Sequence, residues 1–234
     1  SANLTIVNSS FAGFIKHAVA LVTQNGALSL FGVNLFDIAE NAILIKSGGE
    51  QDHVIVDSHI FNCGGAGIIV QGTFAIIIDC ELDFCTQGGI WFLGGKGLVD
   101  GCDLDGSGIA GLSAVASDVT FLQNKVANTV AAPSGLWGDG IVVMADALAQ
   151  SEADVLENVV ADSERASLCN FGSVATLEAN TLQCGAFDLA GEPLFGFNFQ
   201  FMELPGNVCG CGMPASCTFV SAGLAPPPPP STVE

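Results

Sequence analysis

Apolar residues recur along the chain in short phrases, each of two or three residues followed by Asn or Asp and a polar turn. The phrases end at Asn8, Asn34, Asp57, Asp79, Asp100, Asn124, Asn158, Asn180 and Asn207. About ten residues after most of them stands a second apolar phrase, often led by glycine: AILI at 42–45, GIIV at 67–70, GIWF at 89–92 and GIVV at 140–143. Several turns add a third phrase, as in TFAIII before Asp79. Short stretches of alternating burial between Gly, Asn and Asp turns predict β-strands throughout. The one weak helical stripe is Met144–Leu156.

The pattern is a repeat. VIVDSHIFNCGGAGIIV lies over IIIDCELDFCTQGGIWF without a gap, at an offset of 22 residues, so that His59 falls on Glu81 and Cys63 on Cys85. A third copy, with one inserted residue, sets Asp100 on Asp79, Cys102 on Cys80, Asp103 on Glu81 and Asp105 on Asp83. A fixed period in this range marks a solenoid. The predicted fold is all-β, a single parallel β-helix of about nine coils, with coils stacked ~4.8 Å apart into a rod roughly 40 Å long. The expected organisation is a β-helix over 1–206 with an insertion around 128–153, a Cys-rich segment over 207–224 and a polyproline tail over 225–234. The insertion is read from the 34-residue interval between Asn124 and Asn158. Asn and Asp at the bends tolerate unusual backbone angles, and stacked asparagines are expected to bond along the rod.

This arrangement resembles the right-handed parallel β-helix superfamily, the fold of pectate lyases, over about residues 4–211. The resemblance implies a fold more than an activity. Pectate lyases carry acidic Ca²⁺ ligands beside an arginine or lysine that abstracts a proton. Here Lys16, Lys46, Lys96, Lys125 and Arg165 align with none of the acids between Asp57 and Asp105, and the N-T-D, G-H-G and R-I-K signatures of polygalacturonases are absent.

Composition narrows the reading. Half of the 234 residues are apolar and the mean hydropathy is +0.54, yet the long uncharged run Ser58–Ile78 is broken by four glycines and fits strands rather than a membrane span. Against 24 acids stand 5 Lys and Arg, a net charge of −19, which excludes nucleic acid as a partner. The sequence begins at Ser1 without a leader and is read as a mature or trimmed product. Nine cysteines favour an oxidising, secreted, extracellular or cell-surface setting.

Stacking brings neighbouring Cα atoms within disulfide reach, so Cys63 is expected to pair with Cys85 and Cys80 with Cys102. Cys184, Cys209, Cys211 and Cys217 are expected to staple the end of the rod as disulfides, leaving Cys169 as the free thiol of an odd set. With Ile60, Leu82 and Leu104 inside, alternation points His59, Glu81 and Asp103 outward, with Asp83 and Asp105 two residues on. Three readings of that acidic face stand: solvated acids, an oxygen-rich Ca²⁺ site at Asp79, Glu81, Asp83, Asp103 and Asp105, or catalytic carboxylates at Glu81, Asp83, Asp103 and Asp105. No cofactor other than Ca²⁺ is implied. Trp91, expected to face outward, and Trp137 with Asp139 in the insertion are the candidate glycan-binding residues.

The first strand, from Leu4, starts without a polar cap. Open ends can associate head to tail, and the prolines can reach a neighbouring subunit. The functional expectation is an extracellular, non-catalytic structural or adhesive solenoid that self-assembles into a filament or surface layer. The alternatives are a polysaccharide lyase or hydrolase and a Ca²⁺-dependent glycan-binding module.

Overall fold

The computed structural model describes residues 3–49 and 51–231. Among them there is no helix; 27 strands form three nine-stranded sheets, every neighbouring pair parallel and one coil apart. The fourth coil is typical: Phe74–Ile78 lies in the first sheet, Glu81–Cys85 in the second and Gly88–Leu93 in the third.

Register follows the 22-residue repeat. Glu81 sits between His59 and Asp103, and Leu82 between Ile60 and Leu104. Alternation sends Ile60, Leu82 and Leu104 into the interior, where they are fully buried. The third sheet contributes Ile68, Ile90, Leu112 and Ile141 to the same core from the opposite wall. One row of the third sheet is glycine, at Gly67, Gly89, Gly111 and Gly140. A Cβ there would stand 2.2–2.5 Å from Leu82, Leu104, Val126 or Val160, so the glycine that opens each apolar phrase lets the second sheet close onto the third.

The turn from first to second sheet explains the Asn/Asp signal and corrects its alignment. The recurring Asn/Asp residues belong to several columns, of which two form the turn. Asn8, Asp57 and Asp79 occupy a left-handed position (φ 45°, 50° and 50°) that Gly101, Gln123, Glu157 and Ala179 fill in other coils. It is Gly101, not Asp100, that stacks on Asp79; Asp100 pairs with Ile78 in the strand before. No inserted residue is needed. One position later runs a buried ladder. The Cys102, Asn124, Asn158 and Asn180 backbone N–H groups donate to the Oδ1 of Asn124, Asn158, Asn180 and Asn207 at 2.9–3.0 Å. The amide nitrogens of Asn124, Asn158 and Asn180 in turn donate to the Val99, Phe121 and Val155 carbonyls. Backbone groups that the turn would orphan inside the rod are satisfied in this way.

That ladder accounts for the failed disulfide. Cys80 and Cys102 do stack, but both are free and buried. Their sulfurs take the place of asparagine: the Cys80 N–H donates to Cys102 Sγ at 3.4 Å, and the Cys80 thiol donates to the Ile78 carbonyl at 3.3 Å. Hydrogen bonding to Cys80, then burial, pushes the Cys102 thiol up, so it stays protonated. The other expected bridge, Cys63–Cys85, is present. Cys184–Cys211 and Cys209–Cys217 close the last coil. Three thiols are therefore free, Cys80 and Cys102 as well as the expected Cys169. Three disulfides place the chain in an oxidising, non-cytoplasmic environment.

The insertion divides in two around a regular strand, Asp139–Met144. The weak helical stripe at Met144–Leu156 forms no helix, in keeping with the all-β expectation: Asp146 accepts the Leu148 and Ala149 N–H groups in a tight turn, and Glu152–Leu156 is a strand of the first sheet. The Cys-rich segment is a plug. Cys209 is buried against the core, with Cys217 and Phe201 packed beside it.

The tail beyond it returns along its own rod. Glu192, at the end of the eighth coil's third strand, accepts hydrogen bonds from the Ser221 hydroxyl and the N–H groups of Ala222, Gly223 and Leu224. From there the chain passes Arg165 in coil seven and Trp137 in coil six, and Ser231 reaches Asn41 in coil two. The prolines, expected at a neighbouring subunit, cover the outer face of their own third sheet.

Candidate functional site

The second sheet presents an open outer face. Two outward rows run along it: Ser10, Asn34, His59, Glu81, Asp103 and Lys125, and beside them Ala12, Phe36, Phe61, Asp83, Asp105 and Ala127. The acidic ladder thus lies where alternation placed it. His59, Glu81 and Asp83 converge, with one ligand atom from each within 4.8 Å of the others, and His59 Nε2 is 3.2 Å from Asp83 Oδ2. The remaining expected Ca²⁺ ligands turn to other partners. Lys125 Nζ donates to both Asp103 oxygens at 3.0 and 2.7 Å, Asn128 Nδ2 donates to Asp105 at 2.6 Å, and Asp79 stands in the turn column beside Gly101. The five carboxylates do not form one cage.

Lys125 corrects the sequence reading. It aligns directly with Asp103, one coil along the same row. Its hydrogen bond to Asp103 raises its pKa, against an opposing effect of burial. It is therefore held as an ammonium ion, the opposite of what a proton-abstracting lysine needs.

Aromatic side chains complete this face, and the sequence reading missed them. Phe36 and Phe61 are in register on adjacent coils, and Phe84 stands edge-on to Phe61 at 5.7 Å. All three rings are solvent-exposed, at 39%, 40% and 52%. Asp37 and Asn62 flank them, joined by a 2.7 Å hydrogen bond. A shallow groove of about 410 Å³ runs between Ser10, Asn34, Phe36, Asp37, His59 and Phe61. The available signal was the alignment itself: Phe61 precedes Asn62 as Phe36 precedes Asp37.

The other expected binding residues are elsewhere and are not open. Trp91 points away from the core as alternation requires, but it is 0% exposed and packs among Leu44, Ile69, Val142 and Cys169 in a second apolar layer outside the third sheet. Its indole N–H donates to the Gln87 carbonyl at 3.2 Å. Asp139 is no loop residue; it starts a strand and is fully buried. Burial pushes its carboxyl up and the Arg165 guanidinium pulls it back. The pair is bidentate, Nε to Oδ1 at 2.8 Å and Nη2 to Oδ2, and Cys169 Sγ lies 3.4 Å from Oδ1. Trp137 donates its indole N–H to the Pro226 carbonyl at 3.1 Å. Of the three histidines, His53 is buried inside the rod, its Nδ1 accepting the Leu28 N–H, and burial lowers its pKa.

Comparison with known proteins bears on this architecture. No curated protein matches the chain. Among solved structures, the periplasmic alginate epimerase AlgG is similar at 12% identity, over 94% of this chain and 72% of that one, with a TM-score of 0.40. A double mutant of the same epimerase gives 11% identity, 94% and 68% coverage and a TM-score of 0.42. Likeness at this level concerns the fold alone. The family model described as a right handed beta helix region matches residues 1–182. The chain belongs to the right-handed β-helix family.

Proposed function

We propose that the protein is an extracellular, non-catalytic adhesive solenoid that holds an extended neutral glycan along the outer face of its second sheet. The observation that carries this reading is the group Phe36, Phe61 and Phe84, exposed and adjacent to Asp37, Glu81 and Asp83. Aromatic faces stack on the C–H faces of pyranose rings, and carboxylates accept sugar hydroxyl protons; together they are the donor–acceptor complement of a polyhydroxylated chain. The net charge of −19 disfavours polyanionic glycans. Asp83, Asp103 and Asp105 are tied to His59, Lys125 and Asn128 respectively, an arrangement suited to holding a ligand rather than moving protons. A divalent cation at His59, Glu81 and Asp83 is compatible with the same face and would extend its range to uronate-bearing chains.

Affinity electrophoresis in gels containing neutral polysaccharides, with and without Ca²⁺, tests the proposal. Retardation by at least one neutral glycan is expected, with loss of at least tenfold in affinity for a Phe61→Ala, Phe84→Ala double variant. Equal retardation of that variant and the parent would remove the aromatic face from the account.

A second reading, association through the ends, is favoured by the apolar exposure of the first coil, where Val7 is 51%, Val22 52% and Ile15 87% exposed. The far end is plugged by Cys209–Cys217 and Phe201. Within this chain, contact between first coils therefore closes after two copies and does not propagate. Negative-stain microscopy distinguishes paired rods from filaments and single rods.

A further inference from the structure

The C-terminal segment is seated on the third sheet as a ligand is seated in a groove. Leu224 packs against the outer apolar layer, and Pro227 and Pro230 are buried while Pro228 and Pro229 are exposed. Contact at every third residue is the period of a polyproline II helix, which advances ~3.1 Å per residue and ~9.3 Å per turn. Two coils of the rod advance ~9.6 Å. One turn of the ligand thus nearly matches two coils of the groove.

The polar contacts fit the same ligand chemistry. Prolines offer carbonyl acceptors and no N–H, and the groove donates to carbonyls along the segment. Arg165 Nη1 donates to the Ala225 carbonyl at 2.8 Å, Trp137 Nε1 to the Pro226 carbonyl at 3.1 Å and Asn41 Nδ2 to the Ser231 carbonyl at 3.1 Å. Arg165 is itself oriented by the buried Asp139. Polyproline II segments dock in aromatic-lined grooves, and Trp137 brings an aromatic ring and an N–H donor to this one.

We propose that this groove is a polyproline-binding surface that takes, in trans, the Leu224–Ser231 segment of a second copy of the chain. Each copy carries the same segment and the same groove, so cis and trans seating make identical contacts and differ only through effective concentration. A tethered tail has a millimolar advantage. Trans seating takes over where copies are crowded or where the cis seat is disabled. Gly223 stands at the start of the segment: its φ is +69° and nothing stands within 4 Å of the place of a Cβ, and swinging the segment out means releasing the Gly223 and Leu224 N–H groups from Glu192. Reciprocal exchange gives a closed, isologous dimer of rods lying side by side. The proposal uses the third sheet and is independent of the glycan reading of the second.

Complementation of two full-length variants tests it. In one, Pro227→Asp with Pro230→Asp disables the tail and leaves the groove intact. In the other, Trp137→Ala weakens the groove and leaves the tail intact. Sedimentation velocity at concentrations of order 0.1 mM, below the tether's advantage, is expected to show monomers for each alone and a heterodimer on mixing. A labelled peptide spanning residues 221–231 is expected to bind the tail-disabled chain at least tenfold more tightly than the parent chain. Peptide binding without a heterodimer would overturn the second copy as the occupant. Absence of peptide binding to both the tail-disabled and the parent chain would overturn the groove itself.

Discussion

Two ion pairs stand at comparable places on neighbouring sheets and live under different physics. On the second sheet Lys125 meets Asp103 in the open, with side chains 59% and 47% exposed. On the third, Arg165 meets Asp139 with exposures of 14% and 0%. The outer face of the second sheet is left to solvent and carries rings and carboxylates on display. That of the third is apolar over Leu44, Ile69, Trp91 and Val142, and the chain's own tail lies along it. The same coil thus builds one wall to be touched from outside and another to be sealed.

Breaking the two pairs separates the faces most sharply. Arg165→Ala leaves the buried Asp139 without its charged partner and is expected to cost about 3–5 kcal/mol of unfolding free energy. Lys125→Ala, removing a solvent-screened partner, is expected to cost at most about 1 kcal/mol. Urea titrations of both variants measure the difference, and equal losses would erase the distinction between the faces.

Acidification addresses the seal next. Burial alone would raise the Glu192 carboxyl, but the Ser221 hydroxyl and the N–H groups of residues 222–224 outweigh it and hold the pKa below the usual range. A depressed folded-state pKa means that the stabilisation is fully present above the unfolded value, about 4.3, and is lost as pH falls through the folded one. Protection of the amides of residues 222–224 from hydrogen exchange, taken relative to an unstructured peptide at the same pH, is expected to fall in that acidic window, and in Glu192→Gln to be low already at neutral pH. Protection indifferent to both would detach Glu192 from the tail's anchorage.

The smallest effect belongs to the open face. Phe61→Ala removes a half-exposed ring and is expected to change stability by no more than about 1 kcal/mol, while glycan retardation falls. A loss of several kcal/mol would mark Phe61 as a structural rather than a displayed residue.

The strands and their register are legible because a 22-residue period leaves alternation no freedom: Leu82 inside forces Glu81 outside, and Cys63 must meet Cys85. What escapes the sequence depends on contacts that carry no period. The Cys80–Cys102 column reads as covalent because stacking distance says nothing about where a sulfur leans, and here it leans into a hydrogen-bond ladder that asparagine continues. Alternation turns Trp91 outward correctly but not into solvent, since the apolar layer outside the third sheet, with Leu224 of the tail packed against it, leaves no mark on the alternation of a single strand. Lys125 escapes an alignment that stops at the third copy, one coil short of it. A search for tryptophan and tyrosine passes over the phenylalanines, although sixteen of them against two tryptophans leave phenylalanine as the ring most available for display.

Intrinsic fluorescence tests the sealed third sheet most directly, because both tryptophans lie on its side of the rod. In a Trp137→Phe variant the remaining emitter is Trp91, buried at 0% exposure. Blue-shifted emission and weak acrylamide quenching are expected in the full-length chain, with quenching rising when Pro227 and Pro230 are both replaced by aspartate. Emission and quenching like those of free indole in the chain with its prolines intact would contradict the account.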